Sequence, residues 1–276
     1  MVDDRQGNGD GRPSRRPTGA GAAGRGRRPS VPSRSGPNRA RRAQPQHSSD
    51  ADRAPRPSGP PIPENVEAKQ LAPDVRRELS TLDKSTADTV ARHLVAAGTL
   101  LDEDPELALE HAQAALARSG RIAAVREAVG IAAYQCGDWA KALSEFRAAR
   151  RMGSKSQLLP LIADCERGVG RPERAIELAR GPEAAELTGD DADEMRIVAA
   201  GARADLGQLD QALALLSSPQ PDPARTGATA ARLFYAYAET LLALGRDEDA
   251  LQWFINAAAA DVDGVTDAED RVSELA

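Results

Sequence analysis

The side chains that most often carry out chemistry are few in this sequence and widely spaced. It has three histidines, His47, His93 and His111, and two cysteines, Cys136 and Cys165. No H-E-x-x-H spacing and no further ligands at metal spacing accompany them, and the patterns G-x-x-x-x-G-K and G-x-S-x-G are absent. The sequence therefore predicts no enzyme, metal or cofactor. It predicts reduced, buried cysteines and histidines that are either hydrogen-bonded or solvent-facing.

One glycine-rich segment matches the sequence pattern of a dinucleotide-binding loop. Residues Gly19 to Gly24 read G-A-G-A-A-G and match G-x-G-x-x-G. That pattern binds a pyrophosphate only between a strand and the helix whose amide groups meet the phosphates. The surrounding sequence is dominated by Gly, Pro, Arg and Ser, which supports neither element. We interpret the match as coincidental.

Charge is distributed unevenly along the 276 residues. Residues 1–63 contain 13 Arg, no Lys and five Asp, a net charge of +8, whereas residues 64–276 contain 23 basic and 37 acidic residues, a net charge of −14. Ten arginines and no acidic residue lie from Arg12 to Arg42, and such a block attracts polyanions by counterion release. The paired arginines in it are the candidate polyanion-binding residues: Arg15, Arg16, Arg27, Arg28, Arg41 and Arg42.

Residues 1–63 are predicted to form a disordered tail. The segment contains no Leu and no aromatic residue, so it cannot bury enough apolar surface to offset the entropy of folding. Pro55 to Pro63 should form an extended linker. Without aromatic side chains to stack on bases, binding of RNA by this tail would show little sequence preference.

No segment has the features of an export signal or a membrane span. Arg15 and Arg16 are followed by small residues and proline instead of an apolar stretch. No apolar run approaches the ~20 residues of a transmembrane helix. The sequence predicts a cytoplasmic protein without a membrane partner, in keeping with its two cysteines.

From residue 64 onward the pattern is helical, and no window alternates like a strand. Ser85 to Asp88 reads as a capping box, and Asp104 with Pro105 reads as a cap residue before a first-turn proline. Glycines stand where helices should end, at Gly120, Gly137, Gly153, Gly170, Gly181, Gly207 and Gly245. Helices of about 10 to 16 residues joined by short turns are predicted.

The strongest signal is internal repetition. Alanine followed by Leu or Ile recurs at intervals of 34, 33, 37 and 38 residues, at Ala108, Ala142, Ala175, Ala212 and Ala250. A small residue stands twelve positions before each alanine, and glycine stands five positions before it in four of the five cases. Small residues let paired helices approach closely, and periods of this length are typical of solenoids built from repeated helical units.

This pattern resembles the tetratricopeptide repeat family. The family motif places a small residue on the first helix of a hairpin, a glycine in the turn, and alanine and a bulky residue on the second helix; Gly130, Gly137, Ala142, Phe146 and Ala149 match it. The resemblance covers residues 89–264, in units of approximately 89–122, 123–156, 157–192, 193–230 and 231–264. It implies an all-α, right-handed α-solenoid of about five hairpins with a concave face.

Four residues depart from the family pattern. Glu166 and Arg203 occupy a usual aromatic position, and Pro182 and Pro219 replace a late alanine of the second helix, so the ends of these helices stay open. With its Arg/Pro/Gly-rich tail, the whole chain also resembles an uncharacterised repeat-protein family of high-GC bacteria, from which no activity transfers.

A solenoid needs capping helices at both ends. The amphipathic segment 65–82 is predicted to cover the first hairpin, and Thr266 to Glu269 reads as a capping box opening a short C-terminal helix. We therefore divide the chain into a disordered tail, 1–63, and a helical repeat domain, 64–276.

By analogy with the family, the first helices direct a set of polar and aromatic side chains toward the concave face. Arg196 and Arg203, seven residues apart, share a helix face and are predicted to join that lining. The asparagines and lysines with which some family members grip a carboxylate are not in place, and an ordinary solvated face remains the alternative interpretation. The candidate partner-binding residues are Glu127, Tyr134, Asp164, Arg167, Tyr235 and Glu239.

The sequence thus favours a non-enzymatic scaffold or adaptor that binds another protein on its concave face. The alternative is an RNA- or ribosome-associated factor anchored non-specifically by the arginine-rich tail. A solubilising leader and electrostatic contact with the acidic repeat domain are two further interpretations of the tail.

Overall fold

The computed structural model describes residues 59–154 and 157–276. Within these residues all regular structure is helical, which confirms the predicted fold class. Two short 3-10 helices lie at Ala68–Gln70 and Ala184–Glu186. The α-helices are α1 (Pro73–Leu79), α2 (Lys84–Leu100), α3 (Pro105–Ser119), α4 (Ala123–Gln135), α5 (Trp139–Arg151), α6 (Leu159–Gly168), α7 (Pro172–Ala179), α8 (Gly189–Asp205), α9 (Leu209–Leu216), α10 (Ala228–Ala243), α11 (Asp247–Ala260) and α12 (Ala268–Leu275).

Ten of these helices form five consecutive hairpins, α2/α3, α4/α5, α6/α7, α8/α9 and α10/α11. The second helix of each hairpin also packs against the first helix of the next hairpin. Among the first helices, α2 contacts α4, α6 contacts α8 and α8 contacts α10. We call the surface that α2, α4, α6, α8 and α10 share the first-helix face.

The repeated small residues form the seams between helices. All five repeat alanines, from Ala108 to Ala250, are 0% exposed. Gly130 on α4 leaves room for the ring of Phe146 on α5, because a Cβ at residue 130 would lie 2.6 Å from that ring. Phe146 and Phe254 are both 0% exposed. The repeat spacing therefore reflects close contact between helices.

Helix starts show where local sequence signals were right and where they were wrong. Asp104 accepts a hydrogen bond from the amide of Leu107 at 3.0 Å, as its position before proline predicts. The capping box at Ser85 is wrong, because α2 begins earlier and Asp83 is its cap, accepting from the amide of Thr86 at 3.0 Å. Hydrogen bonds from the side chain and the amide of Thr86, and from the side chain of Ser85, lower the pKa of Asp83 to about 2.

The C-terminal capping box is also wrong, although the helix it should open is present. The amide and hydroxyl of Thr266 each donate to Asp261 at 2.7 Å instead of capping the next helix. Helix α12 begins at Ala268 after Asp267, whose side chain caps nothing in that helix. Three donors from Val265 and Thr266 converge on Asp261, which therefore binds the loop that leads into α12.

The second helices differ in length, which resolves the ends that the sequence left open. Helices α3, α5 and α11 have 15, 13 and 14 residues, whereas α7 and α9 have only 8 each. Pro182 and Pro219 follow the two short helices within three residues, and proline disfavours helical conformation in the residue before it. The 17-residue α8, which lies between these two helices in the chain, is longer than both.

The N-terminal segment covers the first hairpin as predicted. Leu79 of α1 is 2% exposed, and Leu71, Val75 and Leu82 pack against the same cluster. A carboxylate oxygen of Glu78 accepts the amide of Ala124 at 3.1 Å, which satisfies a free amide at the start of α4. The last residues of the predicted tail, 59–63, lie within the described part of the chain. Gly59 is close to Ala114 and His93, since a Cβ there would lie 2.4 Å from the Ala114 side chain.

Candidate functional site

The first-helix face brings three of the predicted binding residues into one hydrogen-bonded group. The Tyr134 hydroxyl of α4 donates to Oδ2 of Asp164 on α6. Nη1 of Arg167 donates to the other oxygen of Asp164 at 2.6 Å. Arg167 also spans to α8, where Nε and Nη2 donate to the two carboxylate oxygens of Asp205 at 2.7 and 3.3 Å. We call Tyr134, Asp164, Arg167 and Asp205 the tyrosine–arginine cluster.

The electrostatics of the cluster keep its groups in defined charge states. Burial, together with the charge of Asp164, raises the pKa of Tyr134, so the phenol stays protonated and remains a donor. Burial lowers the pKa of Arg167, but hydrogen bonds to Asp205 and the charge of Asp164 reverse this, and the net shift is upward. Two carboxylates share one guanidinium, so the cluster carries a net negative charge.

Two glycines and a tryptophan that the sequence analysis did not single out position this cluster. A Cβ at residue 201 on α8 would lie 2.8 Å from Cζ of Arg167, so Gly201 makes room for the guanidinium. A Cβ at residue 168 would lie 2.4 Å from the indole of Trp139. The Trp139 ring meets Tyr134 edge-on, with centroids 5.0 Å apart. A glycine inside an otherwise regular helix, as at Gly201, is the signal that could have revealed the site.

The cluster borders a concavity at the end of the first helices, where they enter their turns. Trp139, Asp164, Arg167 and Asp205 line a space of about 560 Å³ together with residues of the turn between α6 and α7. The Asp205 side chain is 40% exposed and that of Arg167 is 29% exposed. The space therefore offers two carboxylates, a guanidinium and an aromatic surface to a ligand.

The structure places the other predicted groove residues elsewhere. Glu127 lies seven residues before Tyr134, about 10 Å along α4, and accepts a hydrogen bond from Ser154 at 2.8 Å. Glu239 on α10 accepts from Arg271 of α12 at 3.0 Å. Burial and a hydrogen bond with Asp267 raise the pKa of Tyr235. Helix α12 thus engages the part of the first-helix face that carries Tyr235 and Glu239.

Arg196 and Arg203 do not join the tyrosine–arginine cluster. They line a different space, between α7, α8 and α9. The reason is their position on α8. Gly201 lies on the side of the helix that contacts Arg167, and Arg203, two residues later, projects about 200° away from it around the helix axis. The predicted common lining is therefore replaced by two separate surfaces on opposite sides of α8.

The histidines and cysteines have structural surroundings. His93 and His111 are 3% and 1% exposed, and their Nδ1 atoms lie 3.0 Å apart. The hydrogen-bonded interpretation is thus confirmed for both, whereas His47 lies outside the described residues. Cys165 is buried, and burial first and then Asp164 raise the pKa of its thiol to about 12. Cys136 is only partly buried, contrary to expectation, because it ends α4.

Neither a metal site nor a membrane-spanning helix is found among the described residues. In residues 59–154 and 157–276, no group of three or more His, Cys, Asp or Glu side chains could hold a metal ion. The helices in these residues include none that is long and apolar enough to cross a membrane. The arginine pairs from Arg15 to Arg42 lie outside the described part of the chain, so the prediction made for them is unchanged.

Stacked antiparallel hairpins joined through small residues define an α-helical repeat protein. Residues 162–266 match the family model described as Tetratrico peptide repeat. This match confirms the resemblance to the tetratricopeptide repeat family that the repeat spacing indicated. The similarity of the whole chain to a family of high-GC bacteria stays a prediction.

The chain is also similar to a solved structure, that of YrrB, described as a TPR protein with an unusual peptide-binding site. The identity is 20% and the TM-score 0.42, over 70% of this chain and 94% of that chain. At these values the likeness transfers no binding residue to this chain. No curated protein matches the chain.

Proposed function

We propose that this protein is a non-enzymatic scaffold or adaptor that binds a segment of another protein on its first-helix face, at the tyrosine–arginine cluster. The observation that carries the proposal is the position of Arg167, whose guanidinium connects Asp164 of α6 to Asp205 of α8 beside the indole of Trp139. These groups come from three consecutive hairpins and line a concavity of about 560 Å³, a size typical of binding sites for compact ligands.

The charge of the site favours a basic segment of the partner. Asp164 and Asp205 together carry two negative charges against the single charge of Arg167, and residues 64–276 have a net charge of −14. A lysine or arginine of the partner could pair with Asp205, the more exposed carboxylate, and lie against the face of Trp139. Electrostatic attraction of this kind raises the rate of association as well as its specificity.

Crosslinking in cells followed by purification of the full chain tests the proposal. We expect Asp205→Lys to remove partners that the natural chain captures, because it reverses the charge of the site and breaks two hydrogen bonds of Arg167. Asp270→Lys is the matched control, since Asp270 is an exposed carboxylate of α12 outside the cluster. Equal capture by the natural chain and Asp205→Lys would contradict binding at the cluster.

The alternative function, contact with RNA or the ribosome, depends on the ten arginines from Arg12 to Arg42. It is distinguished in the same purification by replacing Arg15, Arg16, Arg27, Arg28, Arg41 and Arg42 with glutamine in the full chain. RNA that co-purifies with the natural chain and is lost from this variant favours the alternative. Protein partners lost only from Asp205→Lys favour the scaffold.

A further inference from the structure

A partly apolar recess lies on the side of α8 opposite the tyrosine–arginine cluster. It has a volume of about 590 Å³ and is formed by α7, the 3-10 helix Ala184–Glu186, α8 and α9. An apolar wall of the space is formed by Ile176, Met195 and Ala199. Leu215 lies beside them and is 37% exposed. We call this space the arginine cavity, because Arg180, Arg196 and Arg203 also line it.

The arginine cavity exists because two second helices are too short to cover α8. Helices α7 and α9 have 8 residues each, against 13 to 15 in the other second helices. Some five to seven residues are missing from each, which corresponds to about 8 to 10 Å of helix. The short helices leave a recess beside the face of α8 that carries Met195 and Ala199, although these two side chains are themselves only 5% exposed.

The charge of the cavity is opposite to that of the repeat domain. Its lining contains three arginines and, among the described residues, no Asp or Glu, whereas residues 64–276 have a net charge of −14. Arg203 donates to the neutral amide oxygen of Gln208. Arg180 is exposed just after α7 and forms no ion pair within the described residues. Two of the three cations thus have no carboxylate partner in this part of the chain.

Arg196 is the most firmly held of the three arginines. It pairs with Asp193 at 2.9 Å and donates through Nη2 to the carbonyls of Leu216 and Pro219 at 2.6 and 2.9 Å. These contacts satisfy carbonyl groups where α9 ends early. Its Nε is buried and has no acceptor among the described residues. Arg196 therefore forms a rigid cationic wall, and Arg180 and Arg203 supply the charges that a ligand can reach.

We propose that the arginine cavity is a second binding site, which takes a short acidic, amphipathic helix from a partner protein. The apolar side chains of that helix would fill the space of the missing turns of α7 and α9 and contact the exposed Ala214 and Leu215, and its carboxylates would pair with Arg180 and Arg203. This mode of recognition, in which the apolar face of a helix enters a groove, is common in protein complexes. Arginine is also well suited to pairing with carboxylates at an interface.

Charge and composition argue against the chain's own tail as the occupant. Residues 1–63 have a net charge of +8, so the arginines of the cavity would repel them. They also contain no Leu and no aromatic residue to fill an apolar recess. The proposed basic partner segment of the first-helix face is excluded from the cavity for the same electrostatic reason. The two sites therefore select ligands of opposite charge, and an adaptor of this design holds two partners at once.

A fluorescence anisotropy titration of the full chain tests the proposal. The probe is a labelled, helix-forming peptide of about twelve residues, with leucines at spacings of three and four and glutamates elsewhere. We expect saturable binding that falls at least about tenfold in Arg180→Glu/Arg203→Glu, which corresponds to about 1.4 kcal/mol. Arg121→Glu is the matched control, an exposed arginine in the turn before α4, away from the cavity. The same peptide with lysine in place of every glutamate should not lose affinity in Arg180→Glu/Arg203→Glu, because a basic peptide would bind at the tyrosine–arginine cluster and not in the cavity.

A second variant tests the apolar part of the site without changing charge. Ala214 is exposed and lines the cavity, so Ala214→Trp should occupy the space and weaken probe binding while circular dichroism shows unchanged helix content. Probe binding that survives both sets of substitutions would overturn the proposal. Self-association of the natural chain that Ala214→Trp abolishes would also overturn it, because a second copy would then be the occupant.

Discussion

The Nδ1 atoms of His93 and His111 lie 3.0 Å apart inside the first hairpin, with both rings almost fully buried. One of these nitrogens must donate and the other accept, so the hydrogen bond forms between two neutral imidazoles and is lost when both are protonated. Burial first, and then the charges of His111, Arg118 and Arg92, lower the pKa of His93 to about 4. Burial likewise lowers the pKa of His111, against an opposing effect of Glu110.

This pair predicts a loss of stability on mild acidification. In the unfolded chain His93 takes up a proton near its ordinary pKa of 6.5, whereas in the folded chain it does so near 4. The unfolded state therefore binds more protons between these values, and stability falls as pH is lowered through that window. At pH 5 the contribution of His93 is a loss of about 2 kcal/mol in the free energy of unfolding.

Urea unfolding at pH 7 and pH 5 measures this effect, with His93→Leu/His111→Leu as the comparison. The variant keeps an apolar volume at both positions but removes both titrating groups. We expect its free energy of unfolding to change less between the two pH values than that of the natural chain, with carboxylate titration common to both. An equal change in the two proteins would show that the pair does not control the acid sensitivity.

The seam between α4 and α5 predicts a second result. Phe146 is 0% exposed, so Phe146→Ala should reduce the free energy of unfolding by about 3 to 5 kcal/mol, and the fully buried Phe254 should behave alike in the last hairpin. Gly130→Ala should cost about 1 to 3 kcal/mol, because its Cβ would lie 2.6 Å from the Phe146 ring. Because a solenoid couples mainly neighbouring repeats, unfolding need not be a single transition.

A double-mutant cycle checks whether the two residues act through each other. Gly130→Ala/Phe146→Leu should be more stable than the sum of the single effects implies, because a smaller side chain relieves the clash. Gly98→Ala on α2 is the control, since no atom lies within 4 Å of a Cβ there. It should stabilise by about 0.5 to 1 kcal/mol. Additive effects at Gly130 and Phe146 would contradict the contact.

The position of Gly201 predicts that binding and stability can be separated. Alanine at this position would place Cβ 2.8 Å from Cζ of Arg167 and displace a long, flexible side chain without touching the core. We expect Gly201→Ala to keep or raise helix stability, by about 0.5 to 1 kcal/mol, while partner capture on the first-helix face is lost. Thermal unfolding beside the crosslinking assay measures both quantities. Partner capture equal to that of Gly98→Ala would argue against a role for Arg167.

The tail gives a fourth prediction, which concerns salt. If the full chain binds RNA, the affinity should be in the range of about 10⁻⁴ to 10⁻⁶ M and should fall steeply with salt, because arginines displace counterions. Glutamine in place of Arg15, Arg16, Arg27, Arg28, Arg41 and Arg42 should flatten the plot of log K against log salt and leave helix content unchanged. An unchanged slope would place the anion site in the repeat domain, with the arginine cavity as the first region to test.

Much of the helical architecture could be predicted because it depends on local spacing. Alanines about one hairpin apart, with glycine in the preceding turn, indicate which helices pair, and these glycines adopt positive φ values of 70 to 77° at Gly137, Gly170, Gly207 and Gly245. Caps were less predictable. Ser85 and Thr266, the expected caps, donate their hydroxyls to Asp83 and Asp261 instead, and these carboxylates accept the nearby backbone amides in the fold.

The candidate sites were only partly predictable, because each joins residues from separate hairpins. Tyr134, Asp164 and Arg167 were expected on one face, and they do meet, but Asp205 and Trp139 were not anticipated. Glu166, which replaces a usual aromatic residue, is 2% exposed and pairs with Arg147 and with Arg171. A sequence shows that a charge stands at a core position, but its counter-ion comes from another helix.

The sequence by itself determined the repeat, the approximate helices and the division between a basic tail and an acidic repeat domain, since composition and periodicity are properties of the chain. Only the tertiary structure decided that Arg167 and Arg203 belong to different surfaces, that α12 engages Tyr235 and Glu239, and that a cavity lies beside α8. The physical reason is that a shift of one or two residues along a helix, or the loss of its last turns, changes which side chains of other helices a residue contacts. Two residues along α8 reverse the direction of a side chain, and two prolines remove the turns that would have covered it.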